Sequence, residues 1–295
     1  MKRNTQLKGS VLLLITAFIW GSSFVAQSIG MEKIEAFTFN GIRTVLGVLV
    51  LLPIVIVRNI KNSSDRSRAE LKASIKYGIL LGIVFCMASN FQQFAFYDST
   101  SGKIAFITAL YMFFVPILGL FLKKRVSGLT WVCVILGFIG LFFLCIDPKN
   151  IGAINKGDVM AFICSIFFAV HILMVERFAP ETDGITLSCT QFAVSGLISI
   201  ILMFIFESPH ILDIRAAALP IMYSGFLSCG VAYTLQIIGQ KYTEATIASL
   251  LMCAESVFAV ITAAIVLHEM MLPRELIGCA IMFTAIILSQ FSNRE

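Results

Sequence analysis

At 295 residues, with 58% hydrophobic and 13% charged residues and a mean hydropathy of +0.92, the chain carries more apolar surface than a water-soluble core can bury. That excludes a soluble globular protein and points to a polytopic membrane protein. The net charge of +5 does not signal a nucleic-acid partner, because the charges lie between the apolar runs rather than in a basic patch.

Ten apolar runs follow in order, at roughly residues 10–30, 36–57, 77–97, 103–122, 129–146, 158–178, 185–206, 219–239, 245–267 and 273–291. Most have the length needed to cross a hydrocarbon core about 30 Å thick at about 1.5 Å rise per residue. They fall into two groups of five, and an odd number per group makes the second group cross the membrane in the opposite sense. Weak internal similarity supports the pairing. Lys8-Gly9-Ser10 before the first run reappears as Lys156-Gly157-Asp158 before the sixth, Tyr77 matches Tyr223, and Gln93 matches Gln236. The expected fold is all-α, ten transmembrane helices as two inverted five-helix repeats, residues 1–150 and 151–295.

The basic residues fix an expected orientation. With the N-terminus inside, 15 of the 22 Lys and Arg residues fall in cytoplasmic segments and 6 in outer loops, while Arg43 lies within a span. Both termini are therefore expected in the cytoplasm.

Along the chain, the first run follows Lys2, Arg3 and Lys8 as a secretory signal would. Phe24 before Ala26 is too large for a cleavage site, and the sixth run repeats the segment, so it reads as a span. Within it Thr16, Trp20, Ser23 and Gln27 form one polar and aromatic face, suited to a cavity or a helix contact. In the second run Arg43 is eight residues deep, within snorkelling reach of the outer interface; the other reading is a solute or ion-pair role.

The polar stretch from Arg58 to Lys76 reads as a mobile cytoplasmic loop. In the third run Gly78 and Gly82 form a G-x-x-x-G packing motif, and Asn90, Gln93 and Tyr97 share a polar face, either packing or lining a cavity. Deep in the fourth, Pro116 removes a backbone bond to the carbonyl of Met112, leaving either a tolerated kink or a hinge.

In the sixth run His171 holds the repeat position of Ser23, and in the eighth Gln236 repeats Gln93. His171 is either a packed, hydrogen-bonded residue or a proton carrier. In the ninth, Glu255 lies eleven positions into the span, where an unpaired carboxylate costs several kcal/mol. It shares a helix face with Ala248, Ser249, Met252, Ser256 and Ala259, so it faces the bundle. Two roles stay open for Glu255, proton exchange during transport or a structural link between helices.

All eight cysteines lie inside spans without C-x-x-C spacing, which reads as packing rather than disulfides or metal ligands. No nucleotide, metalloprotease or serine-hydrolase motif occurs, so no cofactor, metal or catalytic set is expected.

Together with the ten spans, Trp20-Gly21-Ser22-Ser23-Phe24 in the first run, the stretch from Ser101 to Tyr111 leading to Pro116, Glu255-Ser256-Val257-Phe258-Ala259 and the closing Leu267-His268-Glu269 resemble the EamA-type permeases of the drug/metabolite transporter superfamily. The resemblance covers nearly the whole chain. It implies a secondary carrier of the cytoplasmic membrane, commonly an exporter of amino acids or other small metabolites, with a central cavity lined by both halves. The expectation is an alternating-access carrier whose solute meets Trp20, Ser23, Gln27, Asn90, Gln93, His171, Gln236 and Ser256, with Glu255 coupling protons. A membrane-embedded enzyme or a lipid scramblase is the rival, disfavoured by short loops and the missing catalytic motif.

Overall fold

The computed structural model describes residues 2–61, 65–146, 154–266 and 272–291. The closing Leu267-His268-Glu269 lies outside the described residues. The first repeat contains α1 (Lys2–Met31), α2 (Ala36–Lys61), α3 (Asp65–Ala95), α4 (Ser101–Thr108), α5 (Tyr111–Phe121) and α6 (Gly128–Cys145). The second contains α7 (Lys156–Phe178), α8 (Gly184–Phe206), α9 (Ile211–Ala216), α10 (Ala218–Tyr223), α11 (Tyr233–Gln240), α12 (Ala245–Met252), α13 (Ala254–Val266) and α14 (Pro273–Ser289).

Nine segments among the described residues are long and apolar enough to span a bilayer. The tenth span is α14, a helix of 17 residues packed along α6. Helices are the only open-ended answer for these runs, because hydrocarbon offers no partner for a free backbone N–H or C=O.

Two spans are broken where hydropathy runs on without interruption. The fourth is divided between α4 and α5 at Ala109–Leu110, and the ninth between α12 and α13 at Cys253. Pro116 is not the break; α5 continues through it, and the interruption lies more than a turn earlier. The eighth span holds a nine-residue π-helical stretch, Ser224–Ala232, between α10 and α11. Thr16 on α1 donates its hydroxyl to the Ala232 carbonyl at 3.1 Å, supplying a partner where the π stretch ends.

The stretch 58–76 departs from the expected loop. Its described residues, 58–61 and 65–76, are helical, because its Arg, Ala, Glu, Leu and Lys residues favour helix and extend α2 and α3.

Contacts follow a pseudo-twofold pattern. α2 packs on α8 and α6 on α14, each pair formed by equivalent spans. α1 packs on α12 and α13, and its repeat partner α7 packs on α4 and α5; α3 meets α7 as α11 and the π stretch meet α1. Each first helix therefore lies against the broken span of the other repeat.

Small residues set the spacing, since lipid supplies no hydrophobic drive between helices. A Cβ at Gly82 would stand 2.7 Å from both the Gln191 carbonyl and the Val194 Cβ, so the Gly78–Gly82 motif seats α3 on α8. Large apolar side chains such as Leu49, Phe121, Phe204 and Leu219 stay exposed on the outside of the bundle, where lipid would meet them. All eight cysteines are free thiols, six of them buried.

Candidate functional site

The two breaks meet. Ala109 and Cys253 stand 144 residues apart, matching the repeat spacing, and the Cys253 Sγ lies 3.7 Å from the Ala109 carbonyl. Each break carries the same tightened backbone bond three residues back, Met112 N to Ala109 O at 3.0 Å and Ser256 N to Cys253 O at 3.2 Å. Just beyond them the Tyr111 hydroxyl donates to Glu255 Oε1 at 3.1 Å, both residues buried. Corresponding interrupted spans are where carriers of inverted repeats place their sites, because unwound backbone is tolerated only beside protein or a cavity.

A cavity adjoins this junction. α1 contributes Trp20, Phe24 and Gln27, α2 contributes Arg43, and α3 contributes Gln92. Across from them stand Phe168 and Ile172 of α7, Ser228 of the π stretch, Tyr233 and Gln236 of α11, and Thr108, Tyr111 and Glu255 at the breaks. Its free space, about 30 Å³ for the centres of water-sized molecules, suits roughly two waters. An organic solute therefore requires the walls to part.

α1 reaches Glu255 because Gly21 has no side chain: a Cβ there would stand 2.4 Å from the Glu255 carbonyl and 2.8 Å from Ala259 N. Trp20 then packs on Tyr233, with ring centroids 4.5 Å apart, and its buried indole N–H has no partner among the described residues.

Of the residues expected at the site, Trp20, Gln27, Gln236 and Glu255 face this cavity. The other five stand away from its wall. Ser23 lies against Ser224 at 3.4 Å, a contact between α1 and the start of the π stretch. Asn90 donates to Ser199 Oγ at 3.0 Å and the Cys86 carbonyl at 2.8 Å, and accepts from Asn40 at 2.9 Å, tying α3 to α2 and α8.

Gln93 is fully buried with neither amide atom partnered, while its neighbour Gln92, one helical step of 100° round, faces the cavity. His171 shares a bond of 3.0 Å with Gln191 Oε1 through Nε2 and packs near Phe85 and Tyr233, behind the wall. Ser256 is buried, outside the lining.

Of the two readings open for Arg43, the structure is against the first. The residue does not snorkel: it is 3% exposed, and its Nη1 donates to Gln27 Oε1 at 2.9 Å on the cavity wall. α2 turns this residue toward α1 rather than lipid, so depth along the helix was a poor guide to where the guanidinium ends. Also missed were Gln92, Tyr233 and Ser228, while Thr108 and Tyr111 lie in the stretch leading to Pro116 that the sequence marked.

Two clasps hold the neighbourhood from either end. Glu176 of α7 pairs with Lys124, just after α5, and accepts from Ala245 N, the first residue of α12, at 3.1 Å. At the opposite end Asp158 of α7 pairs with Lys103 and accepts from Ser99 Oγ at 2.9 Å. Lys124 is partly buried, which lowers its ammonium from the ordinary lysine range.

Among the described residues no group of three His, Cys, Asp or Glu is placed to hold a metal ion. An all-helical membrane bundle of two inverted repeats, with a charged cavity where their broken spans meet, has the architecture of a transporter rather than an enzyme.

Comparison with known proteins gives the family. The EamA-like transporter family matches residues 7–146 and again 155–291. The chain belongs to that family. An uncharacterized transporter of Archaeoglobus fulgidus is 27% identical over 284 residues, 94% of this chain and 83% of that protein. The uncharacterized transporter YwfM of Bacillus subtilis is 24% identical, with 97% of this chain and 95% of that protein covered. One solved crystal structure superposes with a TM-score of 0.77 at 16% identity, covering 97% of this chain and 98% of that one, a likeness of fold.

Proposed function

We propose that this membrane transporter is a secondary carrier that exports a small organic solute, such as an amino acid or a drug-like metabolite, across the cytoplasmic membrane by alternating access. The observation that carries the reading is the meeting of two broken spans at repeat-equivalent places beside one charged cavity. A break at the same point of each inverted repeat gives two hinges of opposite sense, which suits opening to one side and then the other. The export direction, the cytoplasmic membrane and the cytoplasmic placement of both termini rest on the family resemblance and on the excess of Lys and Arg in alternate loops. The division into repeats at residues 150 and 151 belongs to the same reading.

In this scheme Trp20, Gln27, Gln92 and Gln236 line the solute's place and Glu255 exchanges a proton between the two openings. Ser23, Asn90, Gln93, His171 and Ser256 support the walls from behind. The test is saturable counterflow: proteoliposomes loaded with a labelled metabolite extract should exchange one or more compounds with unlabelled extract outside. A new chemical product, or lipid flip without solute exchange, overturns the carrier reading.

A further inference from the structure

A cation buried in a bilayer-spanning bundle is costly, and such a group almost always has a counter-ion. Arg43 lacks one. Among the described residues no carboxylate lies within ion-pair distance of its guanidinium. Its partners are neutral: Gln27 Oε1 at 2.9 Å and the Phe39 ring, 5.5 Å from the guanidinium carbon to the centroid. Its Nε is buried and has no partner among the described residues. Gln27 in turn donates to the Ser23 carbonyl at 3.3 Å, which fixes the amide that aims the guanidinium.

The same cavity carries one acid, Glu255, whose hydrogen bond goes to Tyr111 and not to Arg43. One base and one acid thus line a single space without pairing with each other. A planar guanidinium with free N–H groups is a bidentate receptor for a carboxylate.

We propose that Arg43, aimed by Gln27, receives the carboxylate of the transported solute, which is a small zwitterion whose ammonium faces Glu255. This rests on the carrier reading above. The missing counter-ion of Arg43 is the solute itself, and arrival of that carboxylate supplies the neutralisation the protein leaves unmade. A single base on the wall selects against phosphates and dicarboxylates, which bring a second negative charge with no partner.

Thermal unfolding of the purified full-length chain tests this, with each proteinogenic L-amino acid set against its methyl ester, which keeps the ammonium and loses the carboxylate charge. One or more amino acids should stabilise the parent, with the ester about tenfold weaker or worse, the loss of one charge-assisted pair. Arg43→Gln should lose the preference for acid over ester, and Arg43→Lys should keep part of it. The comparison on the parent needs no variant, so a misfolding variant does not decide the matter. Equal stabilisation by acid and ester, a preference that survives Arg43→Gln, or no stabilisation by any amino acid while extract counterflow continues overturns the assignment and leaves the carrier reading standing. Absence of extract counterflow overturns both.

Discussion

Tyr111 and Glu255 occupy the same place in the two repeats and bond to each other at 3.1 Å, 144 residues apart in sequence. The pseudo-twofold axis therefore passes between a phenol and a carboxyl group. The symmetry that the duplicated backbone keeps is broken there by chemistry, because one repeat supplies the donor and the other the acceptor.

Tyr111→Phe removes only that donor. The Glu255 carboxyl loses its one hydrogen bond among the described residues, at a cost of about 1–3 kcal/mol for an unsatisfied buried group. The expected outcome is a lower midpoint of thermal unfolding in detergent with normal membrane insertion. Unchanged stability would show that the bond contributes nothing to the closed arrangement.

Glu255→Gln keeps a carbonyl oxygen for Tyr111 but exchanges no proton. Counterflow should persist with weaker half-saturation, because the solute's ammonium loses its charged partner, while net transport driven by a pH gradient should fall by about tenfold or more. Flux measured with and without an imposed gradient separates the two. Normal gradient-driven transport in this variant returns Glu255 to a purely structural role.

Gly21→Ala places a methyl group 2.4 Å from the Glu255 carbonyl oxygen, a backbone atom that has no rotamer to move. Overpacking of this kind costs roughly 1–3 kcal/mol. The variant should melt lower and transport less, because α1 must withdraw from α13. Gly128→Ala, which meets nothing within 4 Å, is the matched control and should behave like the parent.

Orientation can be read by labelling. In a chain without native cysteines, Arg125→Cys should react with an impermeant maleimide only from the cytoplasm, and the exposed Ile154→Cys only from outside. Both reacting from one side would remove the inverted arrangement.

The spans were legible because hydrocarbon leaves a chain few choices: a run of about twenty apolar residues must be helical to satisfy its backbone. The breaks were not. Ala109, Leu110 and Cys253 are ordinary span residues, and the one recognised breaker nearby, Pro116, sits inside an intact helix. Glu255 stood out by cost alone, whereas the two readings of Arg43 stayed open because snorkelling depends on which face of α2 the side chain leaves from, and only packing sets that. Gln92 and Gln93 show the same sensitivity: one residue of register rotates a side chain by 100°, from cavity to core. The polar residues at 58–76 suggested a loop because polarity, not helix propensity, dominates a hydropathy reading.

The exchange of contacts between repeats has a consequence for how the molecule is assembled. α1 leans on the broken span of the second repeat, and α7 on that of the first, so each half keeps its first helix in its partner's keeping. A chain released after α6 would leave Trp20, Gly21 and Gln27 with no wall to complete and Tyr111 with no acceptor. Each repeat is in that sense half of a pair. Carried on one polypeptide, the two halves need not be identical, and one supplies the acid while the other supplies the hydroxyl.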